Sequence, residues 1–327
     1  MRKLSGCLVV LLGLCGPAVA GSIDGTPFTV RCGTTILVTD ANAFGTLTLD
    51  ATDPILTTAC QGNGLTIKNQ GTGHNDRGFT VDCTGTAGMA IKGSATGTGI
   101  KLLGPNLAVF GCTTDGFQTG IAVTGDGSDI EDSVVQNSSG DGFVVNDPVG
   151  FRNVNLIGSN FTGNQAVKSG GWGFNLRGSV MNVGTGTFFN NIATGNALGG
   201  FLVKGEGVAM FGNEAFFNTG PGFSVLSTNC CSGSLGQFFS SAVAQGNSGP
   251  GIVYSAKNDG SNCVGSSDPN CVGGRFFPLG FDTSAGAISA AGNGTTCPAG
   301  SLPFPIPGVC AIVLGRQCTE NVLNHCP

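Results

Sequence analysis

Two basic residues could act on an acidic polymer. Arg177 and Lys204 each follow a short apolar stretch that begins with a glycine, at the same distance from that glycine. Arginine and lysine both donate strong hydrogen bonds to carboxylate oxygens. A lyase would use one of them to remove the proton beside a uronic-acid carboxylate, with Ca²⁺ or a cation neutralising that carboxylate. These two residues are the catalytic candidates, and the alternative is that they keep an exposed sheet soluble.

Other residues near this pair suit the binding of a sugar polymer. Trp172, the one tryptophan of the chain, could stack on a sugar ring, although a packed turn residue is the competing interpretation. The predicted substrate-binding set is Asn146, Trp172, Asn175, Arg177, Lys204 and Glu206.

The sequence predicts no metal site and no resident cofactor, apart from Ca²⁺ in the lyase case. Asp126, Asp129, Glu131 and Asp132 lie close together, but they lack the spacing of a calcium-binding loop. A solvated acidic turn is the simpler interpretation.

A glycine followed by two apolar residues spaced by two recurs along the chain and must position these side chains. The anchor glycines are 21, 22, 31, 27, 22 and 29 residues apart, at Gly99, Gly120, Gly142, Gly173, Gly200, Gly222 and Gly251. Periods of this length are typical of a solenoid, in which each strand buries its apolar residues against the next coil. Residues one and three after the glycine should point inward, and residues two and four outward. Asn146, Arg177 and Lys204 then fall on three successive rungs of the outer face.

Asparagines keep phase with this repeat. Asn196, Asn218 and Asn247 each precede an anchor glycine by four residues, and Asn137 precedes one by five. Such asparagines can stack into a ladder of side-chain amides. The anchor glycine itself is expected to make a corner with positive φ.

The repeat resembles that of the right-handed parallel β-helices of the pectate-lyase-like superfamily, over about residues 30–256. The resemblance implies an all-β, single-stranded right-handed parallel β-helix. Secreted members commonly join two cysteines placed like Cys32 and Cys60, which implies that disulfide here. The resemblance indicates no specific enzyme, because this architecture carries many functions.

The two ends differ from the repeat. Residues 1–20 have a basic start, an apolar stretch and Ala18-Val19-Ala20, which predicts a signal peptide cleaved before Gly21. Residues 257–327 are rich in cysteine and proline and are expected to cap the β-helix domain of residues 21–256. Candidate disulfides in this cap are Cys263–Cys271, Cys297–Cys310 and Cys318–Cys326, although spacing alone leaves the connectivity open.

Composition limits the function. Of the 14 cysteines, 12 follow residue 20, and an even number in an exported chain favours disulfides and an oxidising compartment. Removing Arg2 and Lys3 changes the formal net charge from −5 to −7, which argues against nucleic acid as a partner. No segment is long enough for a transmembrane helix. The oligomeric state is left open.

Three hypotheses remain. The first is a secreted protein (extracellular, periplasmic or at the cell surface) that binds glycans or serves as a rigid structural element without catalysis. The second is a polysaccharide lyase or epimerase that acts on a uronic-acid polymer through an exposed groove. The third is a subunit of an extracellular assembly.

Overall fold

Successive stretches of the chain stack as parallel strands in the computed structural model. The structure describes residues 21–39, 41–69, 78–125, 127–146, 159–177, 186–204, 208–227, 238–258, 293, 302–303 and 309–315. Each complete coil of this part adds one strand to each of three sheets, which confirms the parallel β-helix.

Sheet 1 contains ten strands within the described residues. An antiparallel hairpin of the first two strands covers its N-terminal edge, and the later strands pair in parallel. In chain order the strands are β1 (Ser22–Ile23), β2 (Thr26–Pro27), β4 (Gly45–Thr48), β6 (Phe79–Asp82), β9 (Leu107–Phe110), β12 (Asp129–Glu131), β15 (Asn160–Thr162), β18 (Gly186–Phe189), β21 (Val208–Phe211) and β24 (Phe238–Ser240).

Sheet 2 is the shortest, with seven strands of three residues in the described part. These strands are β7 (Ala90–Lys92), β10 (Thr113–Asp115), β13 (Val134–Gln136), β16 (Gln165–Val167), β19 (Ile192–Thr194), β22 (Glu214–Phe216) and β25 (Val243–Gln245). The helix α1 (Pro54–Thr57) and a 3₁₀ turn (Thr84–Thr86) lie in the first coils.

Sheet 3 carries the anchor-glycine repeat and contains eleven strands among the described residues. In spatial order they are β3 (Thr34–Val38), β5 (Leu65–Asn69), β8 (Thr98–Leu103), β11 (Thr119–Thr124), β14 (Phe143–Asn146), β17 (Trp172–Arg177), β20 (Gly199–Lys204), β23 (Phe223–Ser227), β26 (Ile252–Asn258), β28 (Val309–Gly315) and β27 (Leu302–Pro303). Because β28 pairs in parallel with β26, sheet 3 continues beyond the predicted domain boundary at residue 256.

The core consists of columns of identical or similar side chains. Phe143, Phe174, Phe201 and Phe223 follow the anchor glycines and are fully buried, as the repeat predicts. Their rings stack with centroids 4.7–4.8 Å apart, close to the spacing of neighbouring strands. Each inner ring of the stack packs against a neighbouring ring on both faces, and this packing fixes the register of sheet 3.

The anchor glycines do not have positive φ, so that expectation is wrong. They are needed because the chain packs closely at this corner. A Cβ atom on Gly222 would lie 2.7 Å from the carbonyl oxygen of Gly251 and 2.8 Å from the Cβ of Ala244. Left-handed residues recur instead at the two ends of the sheet 2 strands, for example Asp132 and Asn137 around β13.

Two disulfides link neighbouring coils at the N-terminal end. Cys32–Cys60 is present as the resemblance implied, and Cys83–Cys112 is a second bond that the sequence did not predict. Cys263, Cys271, Cys297, Cys318 and Cys326 lie outside the described residues, as does the predicted signal peptide. The backbone of Cys310 lies in β28, opposite Val253.

Candidate functional site

The register of sheet 3 brings the predicted basic pair together. Asn146 pairs with Arg177, and Arg177 pairs with Lys204, so the three residues occupy consecutive rungs at the C-terminal ends of β14, β17 and β20. We call them the rung row. Neighbouring strands in a sheet are about 4.8 Å apart. Glu206, the remaining predicted residue at this end of the sheet, lies outside the described residues.

Trp172 begins the same strand that ends at Arg177. Its side chain is partly exposed, and its ring lies against the backbone of Gly199 in the next coil. A Cβ atom on Gly199 would lie 2.8 Å from Cε3 of the indole, so only glycine leaves room for the ring there. The ring is therefore held against the sheet while part of it reaches solvent.

Asp141 holds this corner in place. Its Oδ1 accepts the backbone N–H of Trp172 at 2.7 Å, and its Oδ2 accepts a hydrogen bond from Nδ2 of Asn175. One carboxylate thus fixes both the start of β17 and the side chain in its middle. Asp141 was not among the predicted site residues, since only the strand register shows that a residue before Gly142 faces the coil of Gly173.

Asn175 is buried, with 1% of its side chain exposed. The sequence placed it on the open outer face beside Arg177. Its register neighbours Val144 and Leu202 are also less than a tenth exposed, so this outer row is not a bare groove. Asn175 therefore positions β17 through Asp141 in this structure and is not open to a ligand.

The acidic cluster before β13 is not the solvated turn expected from the sequence, because Asp129 and Glu131 lie in strand β12 and are only partly exposed. Burial, followed by the charges of Asp129 and Asp132, raises the pKa of Glu131. Within the described part of the chain, no group of three His, Cys, Asp or Glu side chains is arranged to hold a metal ion. Asp126 lies outside that part.

Comparison with known proteins returned no match to a family model, to a curated protein or to a solved structure. The likeness to the pectate-lyase-like superfamily therefore rests on the repeat pattern alone. Among the described residues, no helix has the length and hydropathy needed to cross a bilayer.

Proposed function

We propose that this protein is an exported, non-catalytic β-helix that binds an acidic polysaccharide along sheet 3. The observation that carries the proposal is the register of Asn146, Arg177 and Lys204 on three adjacent strands. The resemblance of the repeat to secreted β-helix proteins of the pectate-lyase-like superfamily agrees with a glycan partner.

The charge of the rung row favours a polymer of uronic acids over a neutral one. The whole chain has 14 Lys and Arg against 19 Asp and Glu, so its surface as a whole repels polyanions. Two basic residues on adjacent rungs form a local exception to that charge. A guanidinium donates two parallel hydrogen bonds to one carboxylate, and an ammonium next to it can bind the following carboxylate.

Trp172 adds a surface for a sugar ring at the other end of β17. Trp172 and Arg177 lie five positions apart in β17, at most about 17 Å along the strand. Because the buried Asn175 lies between them, the indole would meet a glycan at the start of the strand and the rung row would meet it at the end. The ring is pre-positioned by Gly199 and Asp141, which lowers the entropy cost of binding.

Two disulfides between coils support an oxidising location for the protein. Disulfides form and persist mainly in exported proteins. A secreted or surface β-helix would meet polysaccharides there. The predicted signal peptide is consistent with this location.

A glycan panel tests the proposal. The purified chain starting at Gly21 is incubated with uronic-acid polymers and with neutral polymers, with and without Ca²⁺. We expect binding to the uronic-acid polymers that weakens as salt is added, because the contacts are charged. The neutral polymers are the matched control and should bind more weakly.

The same samples are read for the ultraviolet absorbance of unsaturated sugar products. We expect none. Product formation would contradict a non-catalytic role and make the protein a lyase. The absence of binding to every uronic-acid polymer would contradict the glycan partner.

A further inference from the structure

Asp53 is a buried carboxylate at the N-terminal end of the β-helix. It directly precedes α1 and is 0% exposed. Its Oδ1 accepts the backbone N–H of Val30 at 3.1 Å, and its Oδ2 accepts that of Asp50 at 2.9 Å. Burial raises the pKa of Asp53. Among the described residues, no lysine or arginine forms an ion pair with it, and an uncompensated buried charge is costly.

Gly21 lies against this carboxylate. It is buried, and its carbonyl oxygen accepts the N–H of Phe28 at 3.1 Å. Three oxygen atoms surround the position that a Cβ atom of residue 21 would occupy. They are Oδ2 of Asp53 at 2.7 Å, the carbonyl oxygen of Thr48 at 2.9 Å and the carbonyl oxygen of Phe28 at 3.0 Å.

These distances exclude a methyl group and match an ammonium group. Hydrogen bonds from nitrogen to oxygen are about 2.7–3.2 Å long. An ammonium carries three N–H donors, one for each of the three oxygens. The position is therefore a site for a primary amine with a negative charge on one side.

The amine can come from Gly21 itself. Its nitrogen and the Cβ position are both attached to the same Cα, at nearly equal bond lengths of about 1.5 Å. A rotation of roughly 120° about the Cα–C bond exchanges them, because substituents on a tetrahedral carbon are staggered. This rotation leaves the Gly21 carbonyl and its bond from Phe28 in place. While Gly21 is joined to Ala20, its nitrogen is an amide with one N–H and cannot make the exchange.

We propose that removal of residues 1–20 delivers the α-ammonium of Gly21 into this three-oxygen site, where it forms a buried ion pair with Asp53. Hydrolysis breaks the bond between the Ala20 carbonyl carbon and the Gly21 nitrogen. Water supplies the second oxygen of the new Ala20 carboxylate, and both of its protons end on the nitrogen, which becomes an ammonium. The inference rests on the cleavage that Ala18-Val19-Ala20 predicts, and it is independent of the glycan site.

The ion pair between the Gly21 ammonium and Asp53 would form at the N-terminal end of the solenoid only after export. Gly21 leads directly into β1, whose hairpin with β2 covers the edge of sheet 1 at β4. Closing the ion pair would hold this hairpin on the first coil. Processing would then stabilise the end of the β-helix that would otherwise fray.

Thermal unfolding of two chains tests the proposal. One chain begins at Gly21, and the other retains Ala20 in front of it. We expect the chain that begins at Gly21 to have a Tm higher by several degrees, because it alone places a charge beside Asp53. In the Asp53→Asn background this difference should disappear.

Asp50→Asn is the matched control. Asp50 is three residues away, and its Oδ1 accepts the N–H of Thr52 at 3.0 Å instead of facing Gly21. The difference between the two chains should persist in this variant. Equal Tm values in the unsubstituted protein, or the same difference in Asp53→Asn, would overturn the proposal.

Acylation of amines provides a readout that needs no substitution. The native chain starting at Gly21 is treated with an amine-reactive reagent, and the modified peptide is measured by mass spectrometry. We expect the Gly21 amine to react at least about ten-fold more slowly than in the unfolded chain, since it must first leave the buried site. Equal reaction rates, or an exported protein that begins at another residue, would contradict the assignment.

Discussion

At the scale of single residues, buried asparagines hold successive coils together. Nδ2 of Asn218 donates to the carbonyl oxygen of Ala193 at 3.1 Å and to Oδ1 of Asn247 at 2.8 Å. Its own Oδ1 accepts the backbone N–H and the Nδ2 of Asn196, both at 2.9 Å. Every polar atom of the amide is satisfied inside the core, and the pattern continues to Asn293.

Replacing Asn218 by alanine should destabilise the protein strongly. The change removes the acceptor Oδ1 of Asn218 from the backbone N–H and from one side-chain N–H of Asn196, and both groups are then left without that partner in a buried position. We expect a loss of about 3 kcal/mol in the free energy of unfolding, since each buried unsatisfied group costs about 1–3 kcal/mol. Denaturant unfolding measures the loss.

Asn137→Gly is the control for this substitution. Asn137 is an exposed left-handed residue that bonds Asp115, and glycine has positive φ in the same column at Gly195 and Gly246. The Asn137→Gly substitution should lower the free energy of unfolding by less than about 1 kcal/mol. An effect as large as that of Asn218→Ala would contradict the special role of the buried column.

At its N-terminal end the buried asparagine column continues as two serines, where substitution by asparagine is expected to raise the stability of the protein. Ser138 and Ser169 continue it toward the N-terminus, and their buried hydroxyl oxygens have no hydrogen-bond partner. Ser169→Asn should add one more rung, because Asn196 occupies the equivalent place in the next coil. We expect a gain of about 1 kcal/mol in the free energy of unfolding.

Ser248→Asn makes the same chemical change at an exposed site and should leave the stability unchanged. A loss of stability in Ser169→Asn would indicate that the earlier coil has no room for the amide. Both variants are compared by thermal and denaturant unfolding.

The sequence predicted part of this residue-scale picture. The phase of Asn196, Asn218 and Asn247 is sufficient to predict one ladder. The prediction that Asn137 belongs to this ladder is wrong. Asn137 lies one residue further from its anchor glycine, so it occupies the left-handed corner and Ser138 takes the place in the asparagine column. A second ladder, at the other end of the sheet 2 strands, was missed. It comprises Asn164, Asn191 and Asn213, which each precede an anchor glycine by nine residues, so the same phase argument would have predicted it.

At the scale of elements, the corner before each sheet 3 strand depends on the absence of a side chain. Gly99, Gly120, Gly142 and their successors approach the carbonyl of the next anchor glycine. The spacing of the glycines therefore predicted the strands correctly. The reason for glycine is tight packing between coils, and that depends on neighbours that are distant in the sequence.

Gly120→Ala should destabilise the fold by about 1–3 kcal/mol, the usual cost of overpacking. The new Cβ would overlap a methyl group of Val135, which later coils replace by Ala166 and Ala193. Adding Val135→Ala should recover part of the loss, which a double-mutant cycle measures.

Gly62→Ala is the matched control, since no atom lies within 4 Å of the position of its Cβ. It should change stability by less than about 0.5 kcal/mol. Equal losses in the two alanine variants would show that backbone flexibility and not packing explains the anchor glycines.

At the scale of the whole molecule, the repeat predicted the architecture, and the disulfides were predicted only in part. Cys32–Cys60 followed from a resemblance, whereas Cys83–Cys112 required the register of sheet 1 to bring the residues after β6 and β9 together. The candidate site divides in the same way. The repeat aligned Asn146, Arg177 and Lys204, but it gave no indication of Asp141 or of the burial of Asn175.

The central claim is that the rung row binds an acidic polysaccharide, and calorimetric titration of the chain starting at Gly21 with a uronic-acid polymer tests it most directly. Arg177→Ala/Lys204→Ala is compared with Lys68→Ala, which removes an exposed charge from the same row of sheet 3 several coils away. We predict that the double variant binds at least about ten-fold more weakly, because charge-assisted hydrogen bonds contribute about 1.5–3 kcal/mol each. Lys68→Ala should bind like the unsubstituted protein. Unchanged affinity in the double variant, or an equal loss in Lys68→Ala, would contradict the account.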